Sequence, residues 1–194
     1  MKEVINEESM GIPKKKSVIL LLLLGIITLG ISQYIWFVKR VKELNNLQTK
    51  TKTKKAIPII SLIFIITIAI GVITLGVFMY LQWEDLDAAL KIEDIPQEIL
   101  ITSTIIILLS LILGILTLMM AFKYRKILNE SLVNKGTSVK LSGLYTFIFH
   151  FIYLQYEINR IIKDNETQKR TGPLIALVLV ILTIIASIIS VLYL

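Results

Sequence analysis

The chain of 194 residues contains no cysteine and a single histidine, His150. Without cysteine there is no disulfide scaffold and no thiolate chemistry. With one histidine besides, a Cys/His zinc site is excluded, and a Ser-His-Asp hydrolase would have to use His150. No HExxH motif, P-loop or GxSxG elbow occurs, and no pair of carboxylates lies within an apolar segment. The soluble loops and tails are too short to house a folded catalytic domain. No enzymatic activity is expected, and no cofactor is implied. Charge is scarce too, at 18% of residues, where a soluble domain carries about 25%. What fills the space is apolar: 55% of the chain, with a mean hydropathy of +0.78. That balance points to an integral membrane protein.

The charges fall in five patches. Residues 1–16 carry net +1, 39–57 net +6, 83–98 net −5, 123–140 net +4 and 157–173 net +1. Between and after them lie 17–38, 58–82, 99–122, 141–156 and 174–194, none with a formal charge. Four of these segments are long enough, at about 1.5 Å of helical rise per residue, to cross a hydrocarbon core of about 30 Å. A chain in lipid must satisfy its own backbone hydrogen bonds, so helices are expected. The fold class read from this pattern is all-α: a polytopic helical membrane protein with 4–5 apolar helices.

Basic loops stay on the cytoplasmic side. Residues 39–57 and 123–140 are therefore placed inside and the acidic 83–98 outside, so 58–82 and 99–122 form a transmembrane hairpin. Segment 17–38 poses a conflict, because Lys14–Lys16 and Lys39-Arg40 both favour the inside. The leucine run Leu20–Leu24 favours a crossing, which is the expectation. The basic flanks favour a re-entrant path broken near Gly25 or Gly30. Segment 141–156 meets the same conflict and is rich in aromatic side chains, with Tyr145, Phe149 and Tyr153 on one helical face. It is expected to be interfacial or re-entrant; a packing stripe in an ordinary crossing is the alternative. The parts are then a polar tail (1–16), a first helix pair (17–82), an extracytoplasmic loop (83–98), a helix with a cytoplasmic amphipathic extension (99–138), and an aromatic helix followed by a last apolar helix (139–194).

Few residues suggest a site. Lys50, Lys52, Lys54 and Lys55 form a polybasic run beside a membrane helix, suited to anionic lipid at the cytoplasmic face. Val38, Val41 and Leu44 share a face that could lie flat on that leaflet. Trp36 and His150 are further candidate lipid or partner contacts, His150 as an ionisable group at membrane depth. Thr28/Ser32, Thr67/Gly71, Ser110/Gly114 and Thr183/Ser187 are spaced for close helix packing, within one bundle, a homo-oligomer or a membrane partner. Nucleic acid is not an expected partner.

Two internal echoes appear. Gly25–Gly30 (GIITLG) recurs as Gly71–Gly76 (GVITLG), and KKAIPIISLI (54–63) resembles KRTGPLIALV (169–178), with Pro58 matching Pro173. Residues 17–82 and 141–194 read as a degenerate duplication. The run Thr28-Leu29-Gly30-Ile31, Tyr34, Trp36, Lys39-Arg40 and Glu43-Leu44-Asn45 resembles the signature of a prokaryotic multi-pass membrane-domain family of unknown function. Ser32 stands where that family usually has Tyr. The likeness covers about 18–82 well and 141–194 loosely. It implies a small multi-pass protein in the plasma membrane of a bacterium or archaeon, and it brings no activity with it.

The function expected is therefore structural, accessory or regulatory, exercised through helix packing, lipid and partner contacts. The alternative is a small-solute transporter or channel formed by oligomerisation. The threading makes a direct prediction. An impermeant thiol reagent added outside cells labels Asp87→Cys and leaves Lys52→Cys untouched; the opposite pattern inverts the topology.

Overall fold

The charge-free runs 58–82 and 99–122 fold into the two longest helices. The computed structural model describes residues 13–81, 97–163 and 171–192. Among these the chain is all-helical: α1 (Val18–Ile27), α2 (Ile31–Asn46), α3 (Ala56–Leu81), α4 (Gln97–Asn134), α5 (Gly143–Ile162) and α6 (Thr171–Leu192). The tail before residue 13, most of the acidic loop 83–98, and Lys169-Arg170 lie outside the described residues. The helices α3 and α4 are each long and apolar enough to span a membrane. They pack along one another, close enough that a Cβ on Gly71 would sit 3.3 Å from the Ile106 side chain. Pro58 and Pro173 each fall third in their helices, within the first turn, where a missing N–H costs little.

The segment 17–38 does not form the single continuous helix that a crossing requires. Ser17 caps α1 by accepting from the Leu20 amide. The helix then ends at Thr28, and Leu29 (φ 48°) and Gly30 (φ 86°) turn the chain. The Thr28 hydroxyl donates to Leu24 O at 2.6 Å and accepts from the Ser32 amide at 3.0 Å, tying the end of α1 to the start of α2. From there α2 runs back alongside α1. Its Arg40 reaches Lys14 O at 2.6 Å, and Glu43 accepts from the Lys14 amide at 3.0 Å. Both ends of the segment are therefore at one level, and α1 and α2 form a hairpin broken at Leu29-Gly30.

A similar reversal interrupts α5. His150 has φ 38° and ψ −117°, outside the helical region. A straight helix would separate Tyr145 from Tyr153 by about 12 Å along its axis. Their rings instead stand 5.6 Å apart, and the Tyr153 hydroxyl accepts from the Ser142 amide at 2.8 Å. The two bends lie side by side. A Cβ on Gly25 would meet the Phe151 ring at 3.9 Å, while at the other end Lys16 is bonded to Asn159.

The core sits at the polar end, not along the apolar lengths. Trp36, Phe37 and Tyr124 pack ring against ring, with centroids 5.1 to 6.2 Å apart. Leu44, Ile127, Leu128, Leu132, Leu154 and Ile158 complete it. Val41 and Leu44 are thus buried in this core, so the face expected to lie on lipid is a packing face. Along α3 and α4, by contrast, Ile63, Ile70, Ile73, Ile107, Leu111 and Ile115 are more than half exposed.

The long α4 serves as a ruler for depth. Tyr34 shares a 2.9 Å hydrogen bond with Thr117, and Tyr124 donates to Phe37 O at 2.7 Å, so α2 and α4 run in the same direction. Gly30, one turn before Tyr34, is then level with about residue 113, which places it about 15 Å from Lys123 by helical rise.

The left-handed turn supplies a test. Gly30→Ala is expected to cost about 1–2 kcal/mol in detergent unfolding, because L side chains disfavour that conformation. Gly114, in mid-helix with open space where a Cβ would stand, is the control: Gly114→Ala should be neutral or stabilising by up to about 1 kcal/mol.

Candidate functional site

The densest arrangement of polar side chains lies where α1, α2 and α5 meet. Trp36, Arg40 and Glu43 stand on one face of α2 by their i, i+4, i+7 spacing, and Gln155 and Asn159 on one face of α5. Arg40 is fully buried and ion-paired with Glu43. Its guanidinium also donates to Gln155 Oε1 at 2.6 Å and to Lys14 O at 2.6 Å. The same Gln155 oxygen accepts from the Trp36 indole N–H at 2.8 Å. The Gln155 amide donates to Asn159 Oδ1 at 2.7 Å, and Asn159 in turn grips Lys16 at both its backbone N–H and its carbonyl. The chain Glu43–Arg40–Gln155–Asn159 thus clamps the backbone on which α1 begins.

Burial sets the electrostatics. It lowers the Arg40 pKa to about 10, which leaves the guanidinium charged at neutrality. Lys16 is lowered as well, first by burial and then by the nearby Arg40 and Lys39 cations. Arg40 also lies over the Trp36 ring at 5.6 Å, a cation–π contact that helps to hold it in a dry site. A second buried pair, Glu157–Arg160 at 3.1 Å, lies farther along α5, with Arg160 over the Tyr156 ring.

The basic linker is also held. Glu130 of α4 accepts from the Thr51 amide at 2.8 Å and from its hydroxyl. The hydroxyl bond is the leading cause of a lowered Glu130 pKa. Asn45 and Thr53 exchange two hydrogen bonds of 2.7 and 2.9 Å. Lys52 turns back to donate to Asn45 O and Leu47 O at the carboxyl end of α2, where a cation suits both the orphan carbonyls and the helix dipole.

Each sequence candidate now has a place. Lys50, Lys54 and Lys55 are exposed on the linker. Lys52 is exposed but tied to the α2 terminus, so it acts as a cap there rather than a free lipid contact. Trp36 is 2% exposed, so it presents no surface to lipid or partner; its indole N–H is taken by Gln155. His150 is half-buried at the bend of α5. Thr146, one turn before it, donates to Ser142 O instead. The hydroxyls of Thr67, Ser110, Thr183 and Ser187 all donate to carbonyls one turn back in their own helices.

Arg40, Glu43, Gln155 and Asn159 escaped the sequence reading as a set. The signal available was register: these polar residues recur in step with the buried Phe37, Val41, Leu44 and Ile158, so they share the packed side of their helices. Nothing in the sequence joins α2 to α5 across more than a hundred residues. An apolar crevice of about 170 Å³ lies beside the clamp, lined by Val18, Ile152, Tyr156 and Pro173 among others. As chemistry, the clamp fixes backbone: apart from the buried Arg40 Nε, which has no acceptor, its donors and acceptors are turned on one another or on the backbone.

Removing the central cation tests its role. Arg40→Ala is expected to lower stability in detergent by about 3 kcal/mol, since a buried pair that loses one partner leaves the other side uncompensated. Arg40→Lys should recover only part of that loss, because an ammonium cannot reproduce the planar fork. Thermal unfolding followed by circular dichroism reads both.

No curated protein and no solved structure matches the chain. A family model does, and its match over residues 16–130 takes in α1 to α3 and most of α4, beyond the 18–82 stretch in which the resemblance was strongest. The chain belongs to the family described as domain of unknown function DUF4234.

Proposed function

We propose that this is an integral membrane protein with a structural or accessory role, one that acts on the bilayer and on partner helices rather than on a small substrate. One observation carries the reading: apolar and polar surface are segregated along the molecule. The helices α3 and α4 expose isoleucine and leucine over most of their lengths. Apart from Glu98 at the far end of α4, the charged side chains of the described residues gather at one end, where several are bonded to polar neighbours. Water is a poor solvent for the first region and lipid for the second, and a bilayer surface offers both.

In this reading α3, α4 and α6 cross the bilayer. The polar end, with Lys15, Lys39, Lys42, Lys50, Lys54 and Lys55 exposed, faces the anionic cytoplasmic leaflet. The hairpin of α1 with the first turns of α2, and the bent α5, enter and return. A protein that works by chemistry or transport would need polar groups at depth aimed into a cavity. Here the hydroxyls of Thr67, Ser110, Thr183 and Ser187 are turned onto their own helices, and the crevice is apolar. Those features favour a structural role over a transporter or channel.

A substituted-cysteine scan checks this on a background free of native thiols. Cysteines placed along 58–81 and 99–122 should be protected from a water-soluble maleimide at every position in mid-helix. A reactive stripe recurring every third or fourth residue would reveal a water-lined path and reverse the assignment to the alternative.

A further inference from the structure

We propose that the protein is a one-sided membrane wedge, which enlarges the cytoplasmic half of the bilayer and so sorts to, or produces, membrane that bulges towards the cytoplasm. The inference rests on the integral-membrane reading above and adds to it an effect on membrane shape. Three observations carry it.

The first is depth. Helix α1 has 10 residues, about 15 Å of rise, and the ruler of α4 puts its turn the same distance from Lys123. That is half of a hydrocarbon core of about 30 Å. The second is attachment. Both ends of the hairpin are held at the polar end by Arg40, Glu43 and Asn159, so it cannot pass through, and its exposed apolar face keeps it among the acyl chains.

The third is the surface presented. One face of α1 carries Ile19, Leu23, Ile26 and Ile27, exposed to 73, 49, 66 and 75%. The opposite face, with Leu21 and Gly25, packs inward. The turn itself exposes Leu29. Lysines flank the hairpin at Lys14–Lys16 and Lys39, complementary to anionic headgroups. The occupant of this face is therefore acyl chain of the cytoplasmic leaflet.

The consequence is a difference in girth. On the polar side of about residue 113, a section through the molecule cuts α1, α2, α3, α4, α5 and α6. Beyond that level it cuts α3, α4 and α6. Each added helix is about 10 Å across, and no matching element widens the far half among the described residues. A body wider in one leaflet is accommodated at lower cost where that leaflet is convex, and shallow apolar insertion is accordingly sensitive to curvature.

The test uses the full chain carrying Lys39→Cys, reconstituted in phosphatidylethanolamine–phosphatidylglycerol vesicles of about 50 nm and about 400 nm diameter. An impermeant fluorescent maleimide then counts, per membrane area, molecules whose polar end faces outward. The expected result is an enrichment of about threefold or more in the small vesicles. A companion chain carries Ile19→Ser, Leu23→Ser, Ile26→Ser and Ile27→Ser, which leave the clamp residues untouched. Its enrichment should fall to near unity while circular dichroism reports the same helicity. Alkaline carbonate extraction is run in parallel. If the protein is stripped from vesicles of both sizes, the integral-membrane reading fails. If it stays but its density is independent of vesicle size, the wedge alone is overturned. Enrichment that survives the four substitutions also overturns it, because the hairpin would then not be the cause.

Discussion

A guanidinium taken out of water has to place its donors on acceptors, and the acceptors must come to it. Arg40 is fully buried, and its partners arrive from three separate stretches of chain: Glu43 on its own helix, the carbonyl of Lys14 before α1, and Gln155 on α5. The need to satisfy this one cation fixes where α1 starts, which way α2 runs and where α5 docks. Gln155 is shared with Trp36, and Asn159 extends the grip to Lys16. With those two points held, an apolar helix of 10 residues has only one course left. It goes out, turns at Leu29-Gly30, and comes back.

A buried ion pair is not by itself a large source of stability, since desolvation offsets much of the attraction. What it supplies here is geometry. An apolar hairpin without such an anchor could slide, tilt or straighten, because its exposed leucines give no preference among those states. Polar bonds at its base separate them. The linker at 49–55 follows the same logic: a run of lysines beside a membrane helix would otherwise be free, yet Glu130, Asn45 and the end of α2 each hold one of its residues.

Much of the architecture was legible in the charge pattern. Segments 58–82 and 99–122 end within a few residues of the apolar parts of α3 and α4, because charges mark where apolar helices stop. The conflict of basic flanks singled out 17–38 and 141–156, the two segments in which the chain bends. The leucine run nevertheless favoured one continuous helix over 17–38, where the chain forms two. The physical cause of the break is Gly30, whose left-handed conformation lets the chain turn, together with the anchor at Arg40. The turn in α5 had no comparable signal, since no glycine or proline stands at the bend. The clamp was illegible for a different reason. Arg40 and Glu43 look like surface charges of an amphipathic helix until α5 covers them, and Gln155 is ordinary in an aromatic helix. Trp36, a candidate lipid or partner contact by sequence, is the most telling case: neighbours in space come from α4 and α5, far away in sequence.

The central proposal is that the clamp holds both ends of the first apolar segment on one side of a membrane, with its turn inside. Single cysteines at Lys15, Lys39 and Leu29, each exposed on the protein surface, test it in oriented membrane vesicles treated with an impermeant maleimide. Lys15→Cys and Lys39→Cys should react from the same, cytoplasmic side, and Leu29→Cys from neither side until detergent is added. Labelling of Lys15→Cys and Lys39→Cys from opposite sides, or of Leu29→Cys from the far side, would contradict it.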